Sequence, residues 1–280
     1  MELWRIKMFL QRLKGKKIVI YGTGHVARKF YKTLVKHGIQ EQILCFVRTK
    51  NVMEGESFEG LPVYCYKELP VDNAMLICIA VHESIHTEIE NIVKQRTKAY
   101  IWIYPYLYEL MFGEPEQRAI EIQVSSLVQD YQDDLRLGVR LAAIEQQEQK
   151  NTYGFAYYIR AQMLHCDKDT AIQRLEQFKR LIMEWQCIGY QKKYLLVLNR
   201  HYGVIDGNHR VAMAIYKGQK TICAEIYPTD LTVKDIHGEE PMLEKGLLLQ
   251  NGFTIDEVQR LEEVQRKYME AYRKESVNKL

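Results

Sequence analysis

The sequence predicts an α/β chain of two domains joined by helices, and three observations lead there. The first hundred residues alternate short β-rich runs with amphipathic helical patterns, which is the signature of βαβ units and a parallel sheet. From residue 114 to about 150 the pattern turns polar and helical, and beyond it a strand pair runs into a second glycine turn and helix, "GVIDGNHRVAMAIYKG". The expected organisation is a parallel-sheet domain over 1–113, a helical connector over 114–152, and an α+β domain with a helical tail over 153–280. A chain of 280 residues with 47% apolar composition is long enough to bury a core in each domain.

"KKIVIY" (16–21) reads as a buried strand, followed by the turn "YGTGHVA" and the helix "HVARKFYKTLVKHG". Val26, Phe30, Leu34 and Val35 share one face of that helix, and Gly38 marks its end. "QILCFV", "AMLICIAV" and "AYIWIY" are three further strands, with "ESIHTEIENIVKQR" a helix between the last two. The boundary falls between 112 and 120, and the connector that follows, free of strand signal, offers a dimer contact. "YGFAYYIRAQMLH" and "DTAIQRLEQFKRLIMEWQ" read as helices; "YLLVLN" turns through "RHYG" into "GVID" as a hairpin. A helix from Asn208, the strand "TICAEIY" and a helical tail from Met242 complete the chain. Thr254 is the expected N-cap of the last helix, and Glu257 closes a capping box with it.

Charge and cysteine usage exclude several classes. With 39 basic and 36 acidic residues the formal charge is only +3, too slight for a broad nucleic-acid surface. The opening "MELWRIKMFLQRLKGKK" lacks the apolar core and cleavage site of a signal peptide, and no run approaches the ~20 apolar residues of a membrane span. Six cysteines (Cys45, Cys65, Cys78, Cys166, Cys187, Cys223) are scattered without a C-x-x-C pair, so they read as reduced core thiols of a cytoplasmic protein.

In "YGTGHVA", Gly22 and Gly24 stand between strand and helix, with small Ala27 where the two elements must pack closely. Glycines there let a phosphate approach the free N–H groups of a helix start. A classical NAD site also needs an acid at the end of the second strand, and "FVRTKN" places Arg48 and Lys50 there instead, which disfavours NAD. Arg48 would suit a phosphate. His25 and His82 fall at carboxyl ends of strands, where such sheets take ligands. Residues 16–105, through "KKIVIYGTGHVARKFYKTL", "CFVRTK" and "FEGLPVYCYKEL", resemble the small Rossmann-like domains of nucleotide-sugar-modifying and polysaccharide-cluster proteins. That resemblance implies either a nucleotide or nucleotide-sugar pocket at Gly22, Gly24 and His25, or a domain that kept the fold and lost the ligand.

"DGNHR" concentrates chemistry at the second joint. The N-terminus of the helix that follows would offer unpaired N–H groups and a positive dipole end, with His209 and Arg210 projecting from its first turn. Together with Gly207 and Asn208 these make an anion site suited to nucleotide phosphates. Asp206 would hold Mg²⁺ or accept a proton from an attacking hydroxyl. A purely structural alternative has Asp206 capping the helix, Asn208 making a turn, and His209 and Arg210 pairing with nearby acids.

The motif resembles the ParB/sulfiredoxin superfamily, in which a strand ending in D-G-x-H-R or a near variant leads into a nucleotide-binding helix. The likeness extends from the helix "AIQRLEQFKRLIMEW" through "YLLVLN" and "GVIDGNHR" to "KGQKTICAEIY", about residues 165–227. Sulfiredoxins carry a reactive cysteine where this chain has Asn208, which argues against sulfur chemistry. ParB partition proteins carry a second arginine and a following helix-turn-helix module; neither is evident here. The free-serine kinases carry D-G-H-H-R and an acid ahead of the long helix, a place taken here by Asp167 or Asp169 as general base. The resemblance thus implies an ATP-dependent (or CTP-dependent), Mg²⁺-requiring kinase acting on a hydroxyl of a small metabolite or carbohydrate, with a link to surface-polysaccharide synthesis. The alternative is a ParB-like binding module that takes CTP or ATP and switches a homodimer without phosphorylating an acceptor.

Overall fold

The computed structural model describes residues 3–70, 72, 74–81, 83–190, 195–232 and 242–277. The chain is a mixed α/β protein with parallel strand pairs in both of its sheets, and it divides into two compact units, Met1–Glu114 and Pro115–Leu280.

In the first unit the order is α1 (Leu3–Leu13), β1 (Lys17–Tyr21), α2 (His25–Lys36), β2 (Ile43–Arg48), β3 (Ser57–Phe58), β4 (Leu61–Cys65), β5 (Met75–Ile79), α3 (Glu83–Lys94), β6 (Tyr100–Trp102) and α4 (Leu107–Phe112). Six strands form one sheet in the order β3-β4-β2-β1-β5-β6. All neighbours are parallel except the short β3, which pairs antiparallel with β4. That hairpin was not among the expected strands. The sheet is buried on both faces: Ile18 and Ile20 of β1 join Phe9, Phe30 and Leu34 in one core, while Val19 and Tyr21 join Ile89 and Val93 in another. A strand packed on both sides needs apolar residues at every position, which is why "IVIY" and "LICI" are unbroken runs.

Chain order reverses between β1 and β5, so the connections leaving their adjacent carboxyl ends run to opposite sides of the sheet. Gly22 follows β1 with φ of 118°, and a Cβ added there would lie 2.8 Å from the Ala80 carbonyl oxygen after β5. Only glycine meets both conditions. Of the six cysteines, all free, Cys45, Cys78 and Cys223 are buried as expected, whereas Cys187 is exposed. Burial pushes the Cys45 thiol up to about 11.

The second unit runs β7 (Gln117–Gln123), α5 (Val124–Leu127), α6 (Arg136–Gln147), α7 (Gly154–Gln162), α8 (Lys168–Ile188), β8 (Leu196–Leu198), β9 (Val204–Asp206), α9 (Asn208–Tyr216), β10 (Thr221–Ile226), α10 (Lys245–Gln250) and α11 (Ile255–Val277). Its sheet has the order β7-β10-β8-β9, with β10 parallel to β8 and the other pairs antiparallel.

This corrects the connector expected over 114–152. Residues 117–123 are an edge strand paired with β10, Ile122 opposite Ile222, with a register shift between Ala224 and Ile226. Ile120 and Ile122 point to the covered side while Glu121 and Gln123 are exposed. The alternation of period two was present in "RAIEIQ", but its Glu and Gln content favours helix by propensity. Helix α6 belongs to the core too: Leu137, Val139, Leu141, Ala142, Ala143 and Ile144 are buried, with α7, α9 and α11 packed around it. Its buried apolar residues pack within its own unit, against α7, α9 and α11.

The capping box of the last helix is formed, Thr254 Oγ1 accepting from the Glu257 N–H at 3.2 Å and Glu257 Oε2 from the Thr254 N–H at 2.8 Å. At the end of α6, Glu148 gathers Lys217 Nζ (2.8 Å), Tyr216 OH (2.7 Å), Lys150 Nζ (3.1 Å) and Gln186 Nε2 (3.2 Å). Burial alone would raise this carboxyl, but the four donors outweigh it and hold the pKa at about 2. It clamps α6, α8 and α9 together.

Two outcomes are expected. Because the folded-state pKa of Glu148 is depressed, its stabilisation is present above about pH 4.5 and fades as pH falls toward 2. In urea unfolding, Glu148→Gln should lose about 2 kcal/mol at neutral pH and converge with the wild type in strong acid. Gly22→Ala should cost about 2 kcal/mol or more, seen as a lower denaturation midpoint of the first unit.

Candidate functional site

The joint between β9 and α9 forms because its flanks are strongly apolar while its turn is not. Val204 and Ile205 bury β9, and Val211, Ala212, Met213, Ala214 and Ile215 are all buried along α9. A helix with five consecutive buried residues lies inside the unit, not on its surface. Gly207 makes the connection with φ of 108°, and a Cβ there would lie 2.4 Å from Leu196 Cδ2. As N-cap, Gly207 has no side chain to give, so the first-turn N–H groups of α9 receive no hydrogen bond from the capping residue.

The side chains of the motif turn inward, contrary to the expectation that His209 and Arg210 project from the first turn. His209 Nε2 lies 2.8 Å from the hydroxyl of fully buried Tyr158, and its ring packs on Phe178 with centroids 4.3 Å apart. Arg210 is 8% exposed; its Nη1 donates to the Leu195 carbonyl at 2.7 Å, and its Nη2 is 3.8 Å from Asp206 Oδ2. Asn208 Oδ1 accepts from the Tyr131 hydroxyl at 2.5 Å. Tyr131, Tyr158 and Phe178 therefore support the motif, and sequence reasoning missed all three. Their aromatic helices look like ordinary core segments until the fold brings them against residues 208 and 209.

Asp206, Gly207, Asn208, His209 and Arg210 are thus one cluster, but Asp167 is not part of it. It caps α8, with Oδ1 accepting from Thr170 N–H at 2.8 Å and Oδ2 from the Thr170 hydroxyl at 2.9 Å. The Thr170 backbone bond foremost, and its hydroxyl next, hold the Asp167 carboxyl below its ordinary range, the opposite of what a general base needs. It precedes Phe178, the α8 residue that touches His209, by eleven positions, about 16 Å along the helix. Asp169 sits in the same first turn.

Metal chemistry at the joint would rest on Asp206, whose side chain is 23% exposed. Among the described residues no group of three or more His, Cys, Asp and Glu could hold a metal ion. A single carboxylate is nevertheless a fit for Mg²⁺ that arrives with nucleotide phosphates, since that ion is commonly held by one or two carboxylates plus phosphate oxygens.

At the first unit's glycine turn, Gly24 is the N-cap of α2 with φ of −91°, and the space where its Cβ would stand is open. His25 begins α2. Arg48, at the end of β2, pairs with Glu56 and donates to the Asn51 carbonyl at 2.8 Å, while Glu56 also accepts from Met53 N–H. Its charge is matched within the β2–β3 loop by Glu56. His82 lies outside the described residues.

Tyr158→Phe should leave His209 Nε2 without that partner inside a buried aromatic cluster, costing about 1–2 kcal/mol in urea unfolding. Compared with known proteins, the chain matches no protein-family model, no curated protein and no solved structure.

Proposed function

We propose that the second unit is a nucleotide-dependent phosphotransferase that places the phosphates of ATP or CTP on the β9–α9 joint and transfers one to a hydroxyl of a small metabolite or carbohydrate. The observation that carries this reading is the joint itself: a positive-φ glycine at an N-cap without a capping side chain, flanked by Asp206 and backed by a buried guanidinium. First-turn N–H groups and the helix dipole favour an anion there, and Arg210 adds positive charge from below. Its resemblance over 165–227 to the ParB/sulfiredoxin superfamily supports the same site.

Phosphoryl transfer asks a protein mainly for alignment and charge neutralisation. The acceptor oxygen attacks the γ-phosphorus, the bond to the β-phosphate bridging oxygen breaks, and the nucleoside diphosphate leaves with that electron pair. Asp206 is the carboxylate placed either to take the acceptor's proton or to hold Mg²⁺ with the phosphate oxygens. His209, fixed by Tyr158 and Phe178, orients the joint. Metabolite chemistry of this kind needs no nucleic acid, and no helix among the described residues is long and apolar enough to cross a membrane.

A second reading, a nucleotide-binding module without acceptor phosphorylation, is favoured by one observation: Asp167, the expected base, is locked as a helix cap far from His209. For the first unit, the strand order and the glycine after β1 support a Rossmann-like nucleotide or nucleotide-sugar domain.

Calorimetry with Mg²⁺ and each nucleoside triphosphate, followed by phosphorus NMR with sugars and amino acids, tests these readings. Gly207→Ala should weaken nucleotide binding about tenfold or more. Asp206→Asn should abolish acceptor-dependent diphosphate release. Unchanged affinity in Gly207→Ala would overturn the phosphate site, and slow hydrolysis indifferent to every acceptor would select the binding module.

A further inference from the structure

The amino end of β10 and the carboxyl end of β7 border a groove of about 270 Å³, lined by Glu121, Tyr190, Gln219, Lys220, Thr221, Ile222 and Cys223. Strand register places it beside the joint. Ala224 of β10 is level with Leu196 of β8, and the next residue, Val197, is level with Asp206 of β9. Asp206 is thus level with Glu225, so groove and joint lie toward one end of the sheet, two strand spacings across and at least two residues along from each other, about 12 Å or more. Arg210 of the joint donates to the Leu195 carbonyl just ahead of β8; burial raises the Tyr190 phenol, and the Arg210 charge partly offsets that rise.

The lining selects a chemical class. One carboxylate (Glu121) and one ammonium (Lys220) leave the groove without net charge, which favours neither an anion nor a cation. Hydroxyls of Thr221 and Tyr190 add groups that both donate and accept. Gln219, at the groove's edge, has a buried Oε1 with no hydrogen-bond partner among the described residues. The Tyr190 ring is braced by stacking on Trp185, centroids 5.1 Å apart at 25°, and its hydroxyl is held by the Cys223 N–H at 2.8 Å. That gives the groove a rigid aromatic wall of the kind that packs against sugar C–H faces. Its volume lies below the roughly 300–1,000 Å³ of drug-sized sites, enough for a single ring.

We propose that this groove binds a neutral polyhydroxylated molecule of single-ring size, a monosaccharide or cyclic polyol, and that it is the acceptor subsite beside the β9–α9 joint. Its acceptor role rests on the phosphotransfer reading given above; the binding site does not.

Saturation-transfer NMR on the full chain tests it with methyl α-glucoside, N-acetylglucosamine and myo-inositol, each alone, together with calorimetry for ATP and Mg²⁺. Transfer to at least one of the three is expected. The double variant Gln219→Leu/Lys220→Ala should weaken that binding about tenfold, while nucleotide affinity stays as in the wild type. Lys220 is exposed, so Lys220→Ala alone provides a folded variant in which a smaller loss is still required. Absence of transfer from all three probes, or transfer undiminished in both variants, overturns the proposal. Sugar binding that responds to these variants in a chain that takes no nucleotide would leave the groove standing and remove the phosphotransfer reading; nucleotide binding with no sugar would do the reverse.

Discussion

The second unit depends on a buried guanidinium. Arg210 ties the Leu195 carbonyl ahead of β8 to Asp206 at the end of β9 while standing on the first turn of α9. Removing such a charge from water is costly and is tolerated only where hydrogen bonds and an opposite charge meet it, so the three segments must keep this geometry together. A guanidinium on the first turn of a helix whose N-cap lacks a side chain adds positive charge at the helix start, which the Asp206 carboxylate partly offsets. One interaction thus serves both the packing of the joint and its electrostatics.

Around that point the unit is built to hold α9 still. Five consecutive residues of this helix are buried, and α6, itself buried, lies against it. The Glu148 cluster locks the far end of α9 through Tyr216 and Lys217. At the near end Tyr131 and Tyr158 fix Asn208 and His209. A helix restrained at both ends presents its first turn with little freedom, which lowers the ordering cost of binding a ligand there.

Much of this was legible beforehand. The unbroken apolar runs of β1 and β5 announced strands covered on both faces, and Thr254 with Glu257 announced a capping box, because both signals are local. The hairpin into "GVID" and the helix from Asn208 are local too. Strand β7 was hidden because its outward residues are Glu and Gln, and its partner, β10, lies a hundred residues away. Asp167 showed the opposite failure: an acid ahead of a long helix is read equally well as a cap or a base, and only its bonds to Thr170 and its distance from His209 separate the two.

By itself the sequence determined where chain direction changes and which residues are concentrated there. Gly22 and Gly207 mark strand-to-helix joints because a left-handed backbone is a property of the residue and its neighbours. Tertiary structure alone decided which way His209 and Arg210 face, that Arg48 is matched by Glu56, and that a polar groove shares a sheet end with Asp206. Those are questions of proximity between segments far apart in the chain, and they are settled by packing and by the need to partner every buried charge.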